Sequence, residues 1–102
     1  MFPEPWWDLR GTGFREGEQR EELVRRLLTE IGRDHGLATR SIEAVAAFTR
    51  QDEVLYRMDN GQEFLIAHLT YTRTPPDPFI GLRFFASWED TAAMVYEMAE
   101  MW

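Results

Sequence analysis

With two histidines, eighteen acids and no cysteine, the chain has little equipment for chemistry. The one suggestive placement is His68, which interrupts the apolar run from Phe64 to Leu69. Asp52 and Glu53 open the preceding apolar run, and Asp59-Asn60-Gly61 joins the two. A two-residue loop sets Glu53 opposite His68, whereas a three-residue loop sets Asp52 there. Either carboxylate would fix one ring nitrogen and favour the imidazolium. Such a dyad still lacks a nucleophile or a third group, so a structural histidine satisfied by its acid is expected. His35 falls at the end of a helical segment, where a cap or dipole role accounts for it.

Metal and phosphate chemistry find even less support. The histidines show no His-x-x-x-His spacing, the acids no Asp-x-Asp spacing, and thiolate ligands are absent. Gly11-Thr12-Gly13 lacks both the preceding strand and the Gly-Lys-Ser/Thr ending of a phosphate loop. No catalytic residue, metal or cofactor is therefore expected.

Composition narrows the class. A chain of 102 residues, 44% apolar and 14% aromatic, forms one domain with a real core. The expected division is an irregular aromatic leader over residues 1–17 and an α+β core over 18–102. No apolar run spans a bilayer, and no basic region leads into an apolar stretch at the start. No membrane partner is expected, and the cytoplasm is the expected compartment. The net charge of −7 repels phosphate backbones, which argues against nucleic acid and for a basic protein partner. All 11 basic residues are Arg, whose planar fork holds carboxylates in a way Lys does not.

The elements follow from periodicity. Pro3, Pro5, Gly11, Gly13 and Gly17 break up the leader, whose Trp6 and Trp7 either pack back on the domain or anchor a partner. Leu23, Val24, Leu27, Leu28 and Ile31 form one helical stripe over Glu18–His35, with Gly36 as its cap. Thr39–Thr49 fits either period and leans to strand, because the hairpin that follows needs a third strand. That hairpin, Glu53–Met58 and Glu63–Tyr71 around Asn60-Gly61, is the clearest feature. Its second strand is apolar on both faces, which suits a central position. Arg73–Pro78 reads as a stiff loop and Ile80–Ala86 as a further strand. Ser87 then caps a last helix, with Glu89 and Asp90 in its first turn. Trp88, Ala92, Val95, Ala99 and Trp102 share one face of that helix, and Met94, Met98 and Met101 form an adjacent stripe.

The expected fold is α+β: an N-terminal helix, an antiparallel sheet of three to four strands with a central hairpin, and a C-terminal helix. Both helices should cover one sheet face and leave the other open.

Asp52-Glu53-Val54-Leu55-Tyr56, the Asp-Asn-Gly turn, Ile66-Ala67-His68-Leu69-Thr70-Tyr71, a Pro-rich loop and a late Trp carry a resemblance. Across residues 42–90 the chain resembles small acidic bacterial proteins with a D-x-V-L-F/Y … V-H-L-T-W/Y pattern. These are similar to the immunity proteins of polymorphic toxin systems. Ala67 stands where that pattern has Val, and Tyr71 where Trp is usual. The resemblance implies an inhibitor or accessory partner and brings no catalytic residues with it.

The expected function is thus a non-enzymatic protein-binding module that masks a toxin. Its candidate contact residues are Trp6, Trp7, Asp77, Glu89, Asp90, Met94 and Met98. The Met stripe would close a homodimer or dock the partner. A phage-encoded inhibitor of bacterial defence, a small-molecule binder with a pocket between sheet and last helix, and a small His68 enzyme stay open as alternatives.

Overall fold

The computed structural model describes residues 2–11, 13–32, 36–48, 51–59, 61, 63–69 and 81–101. Five strands run in an antiparallel meander: β1 (Trp6–Asp8), β2 (Ile42–Phe48), β3 (Glu53–Met58), β4 (Glu63–His68) and β5 (Leu82–Phe85). Helix α1 (Phe14–Ile31) joins β1 to β2 by way of a short 3-10 turn, Gly36–Thr39, and α2 (Trp88–Glu100) follows β5. The α+β class and the flanking helices are as expected. The sheet has five strands rather than three or four, because the leader supplies one of them.

The leader, expected to be irregular over residues 1–17, thus contains a strand, Trp6–Asp8, and the start of α1. Pro3 and Pro5 precede β1, which pairs with the far end of β2 (Trp6 opposite Phe48, Asp8 opposite Ala46). Helix α1 already begins at Phe14 and stops at Ile31, one turn short of His35. Gly32, with φ 80°, closes it by donating its N–H to the Leu28 carbonyl at 3.1 Å, the role expected of Gly36. Arg33 and His35 lie outside the described residues.

The helices cover opposite faces of the sheet, not one. Leu23, Leu27 and Ile31 of α1 pack on Val54, Tyr56, Met58, Leu65 and Ala67. Val95 and Met98 of α2 pack on Phe48, Leu55, Phe64 and Ile66. Period-2 alternation makes this unavoidable: β3 and β4 are apolar at odd and even positions alike, so each face needs cover. Tyr56 is fully buried and donates its hydroxyl to the Leu23 carbonyl at 2.7 Å, which ties β3 to α1.

Residues 42–48 form a strand, as their context favoured, although three alanines over Thr39–Thr49 lean to helix by propensity. Small side chains fit here because β2 is closed in by neighbours on both sides. A bulge between Ala44 and Ala46 turns both Val45 and Ala46 toward α2. The hairpin turn uses φ 50° at Asp59 and φ 96° at Gly61, where glycine is unstrained. The strand expected to reach Tyr71 ends at His68; Leu69 follows outside it, and Thr70 and Tyr71 lie outside the described residues. The loop Arg73–Pro78 and Ile80 lie outside the described residues. No helix among the described residues is long and apolar enough to cross a membrane.

Candidate functional site

The hairpin register sets Glu53 opposite His68, the outcome of the shorter loop. The dyad nevertheless does not form. His68 is exposed, and the buried Glu53 carboxylate takes a 2.6 Å ion pair from Arg83 on β5. Arg83 stands opposite Ile66, one alternation away from His68 on the same face, and so reaches the acid first. The expectation of a buried, acid-paired His68 is corrected accordingly.

The two leader tryptophans part company because adjacent strand residues face opposite ways. Trp6 is 5% exposed, lies edge-on to Phe48 at 5.1 Å between ring centroids, and donates its indole N–H to the Val95 carbonyl at 3.0 Å. It pins β1 to α2 and is core, not an exposed anchor. Trp7 is half-buried on the α1 side.

Helix α2 also turns out with a different phase. Its buried line is Thr91, Val95 and Met98, while Met94 and Ala99 are half-buried beside it. Met98, 7% exposed, belongs to the core, so the expected stripe of exposed methionines does not exist as a unit; only Met101, at 77%, is open. Thr91 tolerates full burial because its hydroxyl donates to the Ser87 carbonyl at 2.7 Å. Ser87 caps the helix as expected, its Oγ accepting the Asp90 N–H at 3.2 Å. Glu89 and Asp90 are exposed in the first turn, and Asp77 lies outside the described residues.

What these placements leave is the outer face of α2. Glu89, Ala93, Tyr96, Glu97 and Glu100 follow helical spacing away from the sheet, and Tyr96 is 52% exposed. Tyr96 is absent from the candidates that sequence alone supplied; its signal is a phase opposite to Val95 and Met98. The arginines explain why this face matters. Among the described residues, six of them ion-pair with seven acids: Asp8, Glu22, Glu30, Glu43, Glu53, Asp59 and Glu63. Helix α2 has four acids and no basic residue, and none of its acids is in an ion pair with a described residue. Among the described residues, arginine thus meets the acids of the sheet and Glu22 and Glu30 of α1. Glu16, Glu18 and Glu21 of α1 lack such a pair but share their helix with four arginines, whereas the acids around Tyr96 share theirs with none.

A second feature lies where α2 begins. A cleft of about 370 Å³ opens between the sheet and Trp88, floored by Val45 and Phe64 and rimmed by Arg10, Glu43 and Arg57. Arg10 is held by Asp8 through two contacts (Nε–Oδ1 3.0 Å, Nη2–Oδ2 2.8 Å) and lies 5.1 Å over the Phe2 ring. The Arg10 hydrogen bonds hold the Asp8 carboxyl down to about 2, against partial desolvation. A shallower groove of about 550 Å³ between α1 and β2 is lined by Val24, Leu28 and Ile42, with both charge signs at its rim.

Among the described residues no group of three or more His, Cys, Asp or Glu is placed to hold a metal ion. Compared with known proteins, the chain matches no family model, no curated protein and no solved structure.

Proposed function

We propose that this chain is a non-enzymatic protein-binding module, an immunity protein that acts in the cytoplasm by occluding the active or binding surface of a toxin. The observation that carries the reading is the outer face of α2. Four acids without an arginine partner among the described residues share the helix with one exposed tyrosine. Unpaired surface charge steers a basic partner into place, and a tyrosine supplies contact area at low entropic cost. Glu89 and Asp90 remain contact residues in this reading, joined by Tyr96, Glu97 and Glu100. Trp6 and Met98 drop out because burial removes them from reach. The resemblance to immunity proteins supplies the class of partner, and a phage-encoded inhibitor would use the same surface against a different target.

The test starts from the partner retained on purification from the native host. Reassembled with this chain at equal stoichiometry, the partner should lose its own activity. The triple variant E89Q/E97Q/E100Q should associate about tenfold more slowly at low salt, since steering is what it removes. Its on-rate should also depend less on salt than that of the native chain. A partner that stays fully active when saturated refutes occlusion. An on-rate indifferent to both salt and the triple variant removes α2 from the interface.

A further inference from the structure

We infer that the cleft between Trp88 and the sheet binds a small planar aromatic monocarboxylate, a ligand site separate from the outer face of α2. Its walls suit an aromatic ring. Phe64 and Trp88 stand 5.4 Å apart between centroids at 56°, Phe2 buttresses Trp88 edge-on at 6.0 Å, and Val45 closes the floor. A volume of about 370 Å³ lies at the small end of ligand cavities and fits one such molecule.

The polar rim selects the charge. Arg57 gives only Nη2 to Glu43, at 2.7 Å, and its Nε and Nη1 make no hydrogen bond with a described residue. Those donors suit a carboxylate. Gly61 lies against the same side chain, where a Cβ would come within 3.2 Å of Arg57 Cδ, and its φ of 96° favours glycine. Arg10 is already neutralised by its two contacts with Asp8. Glu43 remains at the rim and offsets part of the charge on Arg57. A single negative charge is welcome in this field, whereas a dianion such as a phosphate monoester meets Glu43 with too little positive charge to answer it.

The experiment titrates indole-3-carboxylate and the neutral indole-3-carboxamide into the ¹⁵N-labelled full chain, following amide and indole resonances. The carboxylate should give saturable shifts at Val45, Gly61, Phe64 and the Trp88 indole, and the carboxamide should bind about tenfold more weakly, the loss of one charge-assisted contact. Arg57→Gln should reduce carboxylate affinity to the carboxamide level. Glu43→Gln should instead tighten carboxylate binding severalfold, because it frees Arg57 from its competitor. That gain keeps the inference testable even if Arg57→Gln does not fold. Equal affinity for the two probes overturns it, as do shifts that avoid these four residues or a Glu43→Gln variant that binds no better. Because the outer face of α2 lies elsewhere, loss of partner binding would leave this result untouched.

Discussion

Replacing Trp6 with Phe is expected to destabilise the fold by about 2–3 kcal/mol, the sum of two losses. The first is the indole hydrogen bond to the Val95 carbonyl, 3.0 Å long and buried, for about 1 kcal/mol. The second is the outer ring of a side chain only 5% exposed, packed against Phe48 and Phe2. A phenyl group in that place leaves a partial cavity that costs about 1–2 kcal/mol more. For a domain of this size the melting temperature should fall by roughly 10–15 °C. Trp7→Phe is the control: Trp7 is half-buried, makes no side-chain hydrogen bond among the described residues, and should cost less than about 1 kcal/mol. Urea unfolding followed by far-ultraviolet circular dichroism reads both variants without depending on tryptophan emission. An unchanged midpoint for Trp6→Phe would refute the placement of Trp6 as the pin between β1 and α2. If that variant also lost partner binding, the exposed-anchor reading would return.

Two further outcomes concern charge. Asp8 titrates near 2 in the fold against an ordinary value of 3.8, so its pairing with Arg10 stabilises the chain above about pH 4. That contribution is lost as the pH falls toward 2. The Asp8 side chain is 37% exposed, so solvent screening limits it to at most about 1 kcal/mol, and urea midpoints of Asp8→Asn and the native chain should differ at pH 7 and converge near pH 2. On α2, E97Q/E100Q should stabilise the isolated chain by about 0.3–1 kcal/mol at low salt, and this gain should shrink in high salt. A destabilised double variant would mean that these acids hold the fold together.

The hairpin was legible in sequence because its information is local. Asn-Gly marked the turn and narrowed the residue opposite His68 to Asp52 or Glu53, of which the register selects Glu53. The partner of Glu53 was not local: Arg83 arrives from β5, thirty residues on, and no spacing rule within the hairpin reveals it. The same limit hid the role of Trp6, whose hydrogen-bond acceptor lies 89 residues away. On α2 the apolar arc is wide enough to accept several phases. Only the sheet beneath selects Thr91, Val95 and Met98, and a threonine satisfied within its own first turn gives no apolar signal. The opposite-face arrangement of the helices, by contrast, was already written in β4, whose residues 64–67 are apolar at every position. A strand of that kind asks for two layers of cover.

The charge on α2 runs against the interest of the helix that carries it. Glu89 and Asp90 sit in the first turn, where the helix dipole favours them, so they stabilise the fold whatever else they do. Glu97 and Glu100 sit at the other end, where the dipole opposes negative charge, and the last turn has no basic residue to compensate. Elsewhere the chain places arginine beside such acids: Arg25 follows Glu22 by three positions on α1, and Arg26 precedes Glu30 by four. Arginine therefore meets acids on the sheet and at two positions of α1, a helix with four arginines, yet α2, where the dipole would reward one, has none. Packing gives no reason for the omission, since Glu97 and Glu100 are both exposed. Two acids that cost the free chain stability, beside an exposed Tyr96, acquire a purpose if a basic partner supplies the missing positive charge. That imbalance, more than the net charge of the whole chain, is what directs the proposed function to this face.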